Sequence, residues 1–133
     1  MSIQLKQSDF DAIVAHARAQ LPNEACGLVA GLEGEVKKVY FLTNIDASPA
    51  HFSLDPKEQL AALKAARAAG WRLLGNWHSH PATPARPSPE DIRLAYDPTA
   101  VYLILSLAEN EPVLKAFAIQ HGGAGEVPVV VRQ

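Results

Sequence analysis

An apolar run that ends in two histidines constrains this chain more than any other stretch. Leu73-Leu74-Gly75-Asn76-Trp77 leads into His78-Ser79-His80-Pro81. It reads as a short strand stopped by a proline, which cannot donate to a sheet ladder. Alternate side chains of a strand share a face, about 6.5–7 Å apart along it. His78 and His80 therefore lie on one side of a sheet, close enough for both imidazoles to converge on one metal ion. Asp91 follows after a loop containing Pro81, Pro84 and Pro87 and can add a carboxylate. Two nitrogens and one oxygen with a position left over is the ligand count of a catalytic zinc site. Structural zinc is usually closed by four protein ligands.

The rest of the chain reads as one domain, residues 1–133, long enough to enclose a single core. Phe10, Ile13, Val14 and Ala17 recur at helical spacing after Ser8, predicting a helix over about 8–20 with Ser8 at its start. Strands are expected at 25–30 and 36–42, joined as a hairpin through Gly31-Leu32-Glu33-Gly34, and a short one at 51–54. Asp55-Pro56-Lys57-Glu58 places a cap, a first-position proline and an acid ahead of an alanine-rich helix that Gly70 stops. After strand 71–78, a short helix over about 89–95 and strands at 101–107, 113–119 and 127–131 complete the order. Gly122 to Gly125 is expected to be a flexible connection. This order predicts an α+β fold, a mixed or antiparallel sheet packed by two main helices.

Composition removes several function classes. Twelve basic and fourteen acidic residues give a net charge of -2, so there is no electrostatic footprint for nucleic acid. Apolar runs such as Val101 to Leu107 are far shorter than the roughly 20 residues of a membrane span. Met1 to Lys6 lacks the basic and apolar segments of a signal peptide. The lone Cys26 excludes an internal disulfide and any cysteine-rich zinc site. A soluble cytoplasmic protein is expected.

Other polar residues each admit two readings. Ser88-Pro89-Glu90-Asp91 describes an ordinary helix start, which could also hold Asp91 at a fixed angle to a metal. A Ser88 hydroxyl engaged as a cap would be less free to touch a reacting group. Glu24 stands at the mouth of the strand beginning Ala25-Cys26-Gly27; it is either a surface glutamate beside a turn or the carboxylate that moves a proton for a metal-bound water. Cys26 is either a small buried side chain or, less simply, half of a Cys-His nucleophilic pair. His16 and His121 are expected at the surface, and His51 has no assigned role.

Together, Glu24-Ala25-Cys26-Gly27-Leu28, Gly75 to Pro81, Ser88 and Asp91 resemble the JAMM (MPN-plus, Mov34-type) zinc metalloproteases. The family pattern is a distant glutamate followed by His-x-His, seven residues, Ser, two residues, Asp, and the spacing here fits without adjustment. The resemblance implies a JAMM/MPN fold related to the cytidine-deaminase-like architecture: a curved, mostly antiparallel sheet with a short helix after the metal motif. It implies one Zn2+ per chain held by His78, His80 and Asp91, with water as fourth ligand. Glu24 would be the general acid/base, and Ser88 would hydrogen-bond the water or the developing oxyanion. Asn76 departs from the apolar residue often found there; it would support a ligand, touch substrate, or simply sit at a wet cleft edge. Cys26 is a further candidate for such contacts.

The compact form looks like stand-alone bacterial members that release a small ubiquitin-like sulfur-carrier protein from an adduct after its C-terminal Gly-Gly. An extended tail of this kind could dock by adding a strand to an exposed sheet edge. A non-catalytic module that only holds such tails is one alternative, and a metal hydrolase of another small peptide or adduct is a second. The oligomeric state, a homodimer included, is open.

Overall fold

The computed structural model describes residues 2–133. In chain order the elements are β1 (Ile3–Lys6), α1 (Gln7–Gln20), β2 (Cys26–Leu32), β3 (Glu35–Leu42) and α2 (Pro56–Ala68). There follow β4 (Arg72–His80), α3 (Pro89–Leu94), β5 (Val101–Ser106), β6 (Val113–Gln120), β7 (Gly123–Val127) and β8 (Val129–Arg132). One mixed sheet holds the strands in the order β7-β6-β5-β4-β2-β3-β1-β8. The expected α+β architecture is present, with three helices.

The histidine strand β4 lies inside this sheet. It pairs antiparallel with β2, Cys26 opposite His78, and parallel with β5, His78 level with Ile104. Alternation then sorts its side chains. Trp77 goes to the face covered by α1, in a core with Ile13, Val14, Ala17, Leu103 and Leu105. Asn76, His78 and His80 take the other face. There Leu28, Leu42 and Ala62 of α2 form one small cluster, and Ala85, Ile104, Phe117 and Ile119 form another that Ile92 of α3 packs against. The histidines fall between these two clusters.

Gly27 lets three strands share one aromatic anchor. The Trp77 indole crosses over Gly27 and its Nε1–H donates to the carbonyl of Tyr40 on β3, 3.1 Å away. A Cβ on Gly27 would lie 1.9 Å from that carbonyl oxygen and 2.3 Å from the indole nitrogen.

Several expectations at the ends of the chain fail for connected reasons. Ile3–Lys6 forms β1, parallel to β8, so α1 starts where the strand stops. Its N-cap is Lys6, with no side-chain cap bond, and Ser8 lies within the helix. The segment at 51–54 is no strand; it contributes an isolated bridge, Asn44 to Leu54. Gly122 to Gly125 is no free connection either. His121 and Gly122 turn with φ of 53° and 74°, and the chain returns as β7 antiparallel to β6. The strand expected at 127–131 is split at Pro128.

That split bends the whole sheet. Val127 ends one edge strand and Val129 begins the other, yet residues two apart are at most about 7 Å distant. Eight strands laid flat would separate their edges by roughly 34 Å at about 4.8 Å per strand. The sheet therefore curls until its edges meet at this corner. β4 is three strands from one edge and four from the other, so the histidines do not lie on an edge strand.

Gly27→Ala is expected to destabilise the fold by about 3 kcal/mol, as overpacking against backbone does. Urea denaturation of the metal-free protein measures this; a loss below about 1 kcal/mol would contradict the role given to the close approach.

Candidate metal centre

Extending the β2–β4 register beyond its last ladder pair sets Glu24 across from His80. The strand mouth is fastened twice: the Ser79 N–H donates to the Ala25 carbonyl (3.0 Å), and the Ala25 N–H donates to Ser79 Oγ (2.8 Å). Ser79, fully buried between the two histidines in sequence, is thus the clasp that holds Glu24 near them.

Three donor atoms converge on this face. Nε2 of His78 lies 3.1 Å from Nε2 of His80, and Oδ2 of Asp91 lies 3.2 Å from each. A tetrahedral ion with ligands at about 2.0–2.1 Å separates its donors by about 3.3–3.4 Å. The spacing thus suits one small divalent ion. The chemistry agrees. The Nδ1 of His80 lies 2.9 Å from the carbonyl oxygen of Pro84, and that carbonyl can only accept. His80 therefore carries its proton on Nδ1 and points a lone pair from Nε2 at the others. Lone pairs of two imidazoles and a carboxylate crowded together call for a cation. His78, His80 and Asp91 are a group able to hold one.

Burial tunes each member. It draws the His78 imidazole below its ordinary value, favouring the neutral, ligating form. Burial also pulls on His80, but its hydrogen bonds to Asp91 and Pro84 outweigh it and leave that imidazole raised. Burial alone would lift Asp91; the bonds to both histidines hold its carboxyl well below the usual range. Phe52 stacks on His78, ring centroids 4.5 Å apart and 24° from parallel. His78 Nδ1 is buried without a partner, so that ring is held by stacking.

Ser88 caps α3. Its Oγ accepts from the Asp91 N–H (3.0 Å) while its own N–H donates to Asp91 Oδ2 (2.9 Å), a complete capping box on α3. Capping uses an oxygen lone pair and leaves the hydroxyl proton free to donate.

Glu24 is 5% exposed, and its Oε1 is buried with no partner in the protein. Burial pushes its carboxyl from 4.5 up to about 7, with His80 opposing and Asp91 adding to the rise. Cys26 is fully buried, its sulfur 3.8 Å from the Leu42 carbonyl oxygen. Burial pushes the thiol up to about 12, which removes thiolate chemistry at neutral pH. Asn76 lines a cleft of about 370 Å³ that also borders His78, Asp91, Phe52, Leu94 and Tyr96.

His121 is exposed, as expected. His16 is half-buried, its ring 5.0 Å from Phe41 and 6.1 Å from Trp77, because its helix lies on the tryptophan face. His51 is exposed, with Nδ1 3.1 Å from Asp46 Oδ2. Phe52, the Pro84 carbonyl and the Ser79 clasp were not anticipated from sequence. Ser79 alone carried a signal, as the small residue on the buried face between two ligands.

The family model describing prokaryotic homologs of the JAB domain matches residues 6–120. The chain belongs to the prokaryotic JAB family. The CysO-cysteine peptidase of Mycobacterium tuberculosis is 39% identical over 124 residues, 91% of this chain and 85% of that one, so the likeness runs well beyond the motif. A probable TtuB-protein conjugate cleaving protease of Thermus thermophilus is 45% identical over 82 residues, 61% of this chain and 55% of its own. Among solved structures, protein DSY2949 of Desulfitobacterium hafniense is 52% identical with a TM-score of 0.90, covering 98% of this chain and 93% of its own. AF2198 of Archaeoglobus fulgidus, a JAB1/MPN domain protein, shares the fold at 22% identity, with a TM-score of 0.64 and coverage of 97% and 98%. No helix among the described residues of this JAB chain is long and apolar enough to cross a membrane.

A carboxyl raised by burial favours the folded state while protonated, and that contribution fades as pH rises from 4.5 to about 7. Glu24→Gln should therefore stabilise the metal-free protein at pH 8 relative to wild type, by roughly 1–2 kcal/mol after allowance for solvent at an open cleft. Near pH 4.5 the two should unfold alike. Thermal unfolding at both pH values tests this, and equal stabilities at pH 8 would count against the buried, partnerless carboxyl.

Proposed function

We propose that this protein is a zinc-dependent peptidase that hydrolyses the amide joining the C-terminal Gly-Gly of a small ubiquitin-like sulfur-carrier protein to an adduct. One observation carries the reading: the buried Glu24 carboxyl, with an oxygen free of protein partners, is set beside three convergent donor atoms. The substrate class is supported by relatives named for CysO-cysteine and for TtuB-protein conjugates. The donor set of two imidazoles and one carboxylate, with room for a further ligand, matches catalytic zinc.

His78, His80 and Asp91 would hold a zinc ion, which would supply Lewis acidity toward the scissile carbonyl and toward water. Glu24 takes the proton from the attacking water as the new C–O bond forms. It returns that proton to the amine nitrogen as the C–N bond breaks, leaving the carrier with a free C-terminal carboxylate. A carboxyl poised near neutrality can do both. The free hydroxyl proton of Ser88 is available to the substrate oxygen on which negative charge develops. The adduct or tail occupies the cleft bordered by Phe52, Asn76, Leu94 and Tyr96.

Purified protein loaded with zinc is expected to cleave carriers bearing C-terminal extensions, giving a product that ends in Gly-Gly by mass spectrometry. A chelator should stop the reaction. Glu24→Gln should lower the rate by about 10²–10⁴-fold while one zinc per chain is retained. No cleavage by wild type across a broad panel of carriers, with the tails still bound, would favour a module that only holds them.

Ser88→Ala is expected to cost about 1 kcal/mol through loss of the cap and about 10²-fold in kcat through loss of the donor. The stability loss without the rate loss would reduce Ser88 to a cap.

A further inference from the structure

Glu24 precedes the first residue of β2, so the ladder does not hold it. Besides the clasp at Ala25, its support comes from the loop between β3 and α2. The Glu24 N–H donates to the carbonyl of Ser48 (2.8 Å) in that loop, and Phe52, which stacks on His78, belongs to the same loop. The loop takes its shape from Asn44. The Nδ2 of Asn44 donates to the carbonyls of Glu24 (3.0 Å) and His51 (3.1 Å). Its Oδ1 accepts from the N–H groups of Asp46 and Ser53, both at 3.1 Å. An amide side chain offers two donors and two acceptor positions, and here all four are used. Every partner is backbone, so no contact depends on the rotamer of another side chain.

We propose that Asn44 is a positioning residue for the reaction, fixing through one amide both the backbone that carries Glu24 and the loop that presses Phe52 onto His78. The proposal rests on the reading of Glu24 as the proton carrier. A residue that merely closed the loop would need only its bonds to His51, Asp46 and Ser53. The bond across to the Glu24 carbonyl, twenty residues away in sequence, has no part in closing the loop. It couples the loop to the acid/base instead.

Asn44→Asp tests the amide directly. It keeps the acceptor for Asp46 and Ser53 but turns an oxygen toward the carbonyls of Glu24 and His51, so the tie to Glu24 is lost while two of the loop's three bonds remain. In the full zinc-loaded chain, kcat is expected to fall about 100-fold, the usual cost of misplacing a reacting group by about 1 Å. KM should stay within about threefold, and one zinc per chain should remain. Amide hydrogen exchange at the Glu24 N–H should quicken by about tenfold or more relative to Val29 and Trp77. Asn44→Ser removes the amide without adding charge and should show the same pattern should the aspartate variant fail to fold. Unchanged protection of the Glu24 N–H in a folded variant overturns the proposal, as does faster exchange with kcat unchanged. Failure of both variants to fold also overturns it, leaving Asn44 a structural staple. A wild type that cleaves no carrier defeats only the peptidase reading; exchange at Glu24 then still decides whether Asn44 holds it.

Discussion

Ser79 and Ala25 exchange two hydrogen bonds at the open end of the β2–β4 pair, and the arrangement of the site follows from that pair. The antiparallel register puts Cys26 opposite His78, and the clasp carries it further, so that Glu24 lies across from His80. A slip of one residue would turn both histidines into the tryptophan core and Trp77 out to the cleft. Gly27 guards against this, because the indole of Trp77 fits only where no side chain stands opposite. Packing on one face of the strand thereby sets the chemistry on the other.

The electrostatics follow from where the strand ends. Deep in the sheet, three lone pairs and an unpaired carboxyl could not be tolerated, and fully exposed they would be neutralised by water. At the strand mouth, with α2 and α3 on either side, burial lowers the His78 imidazole and lifts the Glu24 carboxyl to about 7. It still leaves a cleft through which a substrate can reach them. The character of each group is set by its own desolvation and by the others of the cluster, with the Pro84 carbonyl and the Ser88 capping box as fixed backbone partners.

The sequence was most legible where local rules act alone. The Asp55 cap, the proline starts of α2 and α3, and the alternation around His78 each depend on a few neighbouring residues, and the structure repeats them. Spacing alone brought His78, His80 and Asp91 together on paper. The misreadings involve partners distant in the chain. Ile3 and Leu5 alternate as a strand should, but four residues gain strand character only because β3 and β8 lie on either side of them. A glycine-rich run reads as loose until β6 is there to pair with it. Phe52 and Asn44 sit in a loop whose sequence states no target, so their contacts with His78 and Glu24 were not legible. Ser88 stays open in the sequence because its letter does not show which lone pair or proton of the hydroxyl a cap would use.

The corner at Pro128 bears on how the chain acquires this shape. β2, β3, β4 and β5 lie within a span of eighty-one residues, from Cys26 to Ser106, so the strands that present the donors can associate before the last fifth of the chain is in place. Closure of the curled sheet joins Ile3 to Val129, near the greatest separation the chain allows, and contacts of that kind form slowly. β1 has β3 beside it early but gains β8, its longer pairing, only when the C-terminal strands are in place, while the strand that carries the histidines can already be organised. The JAB site is thereby assembled from the early part of the polypeptide, and the late part seals it.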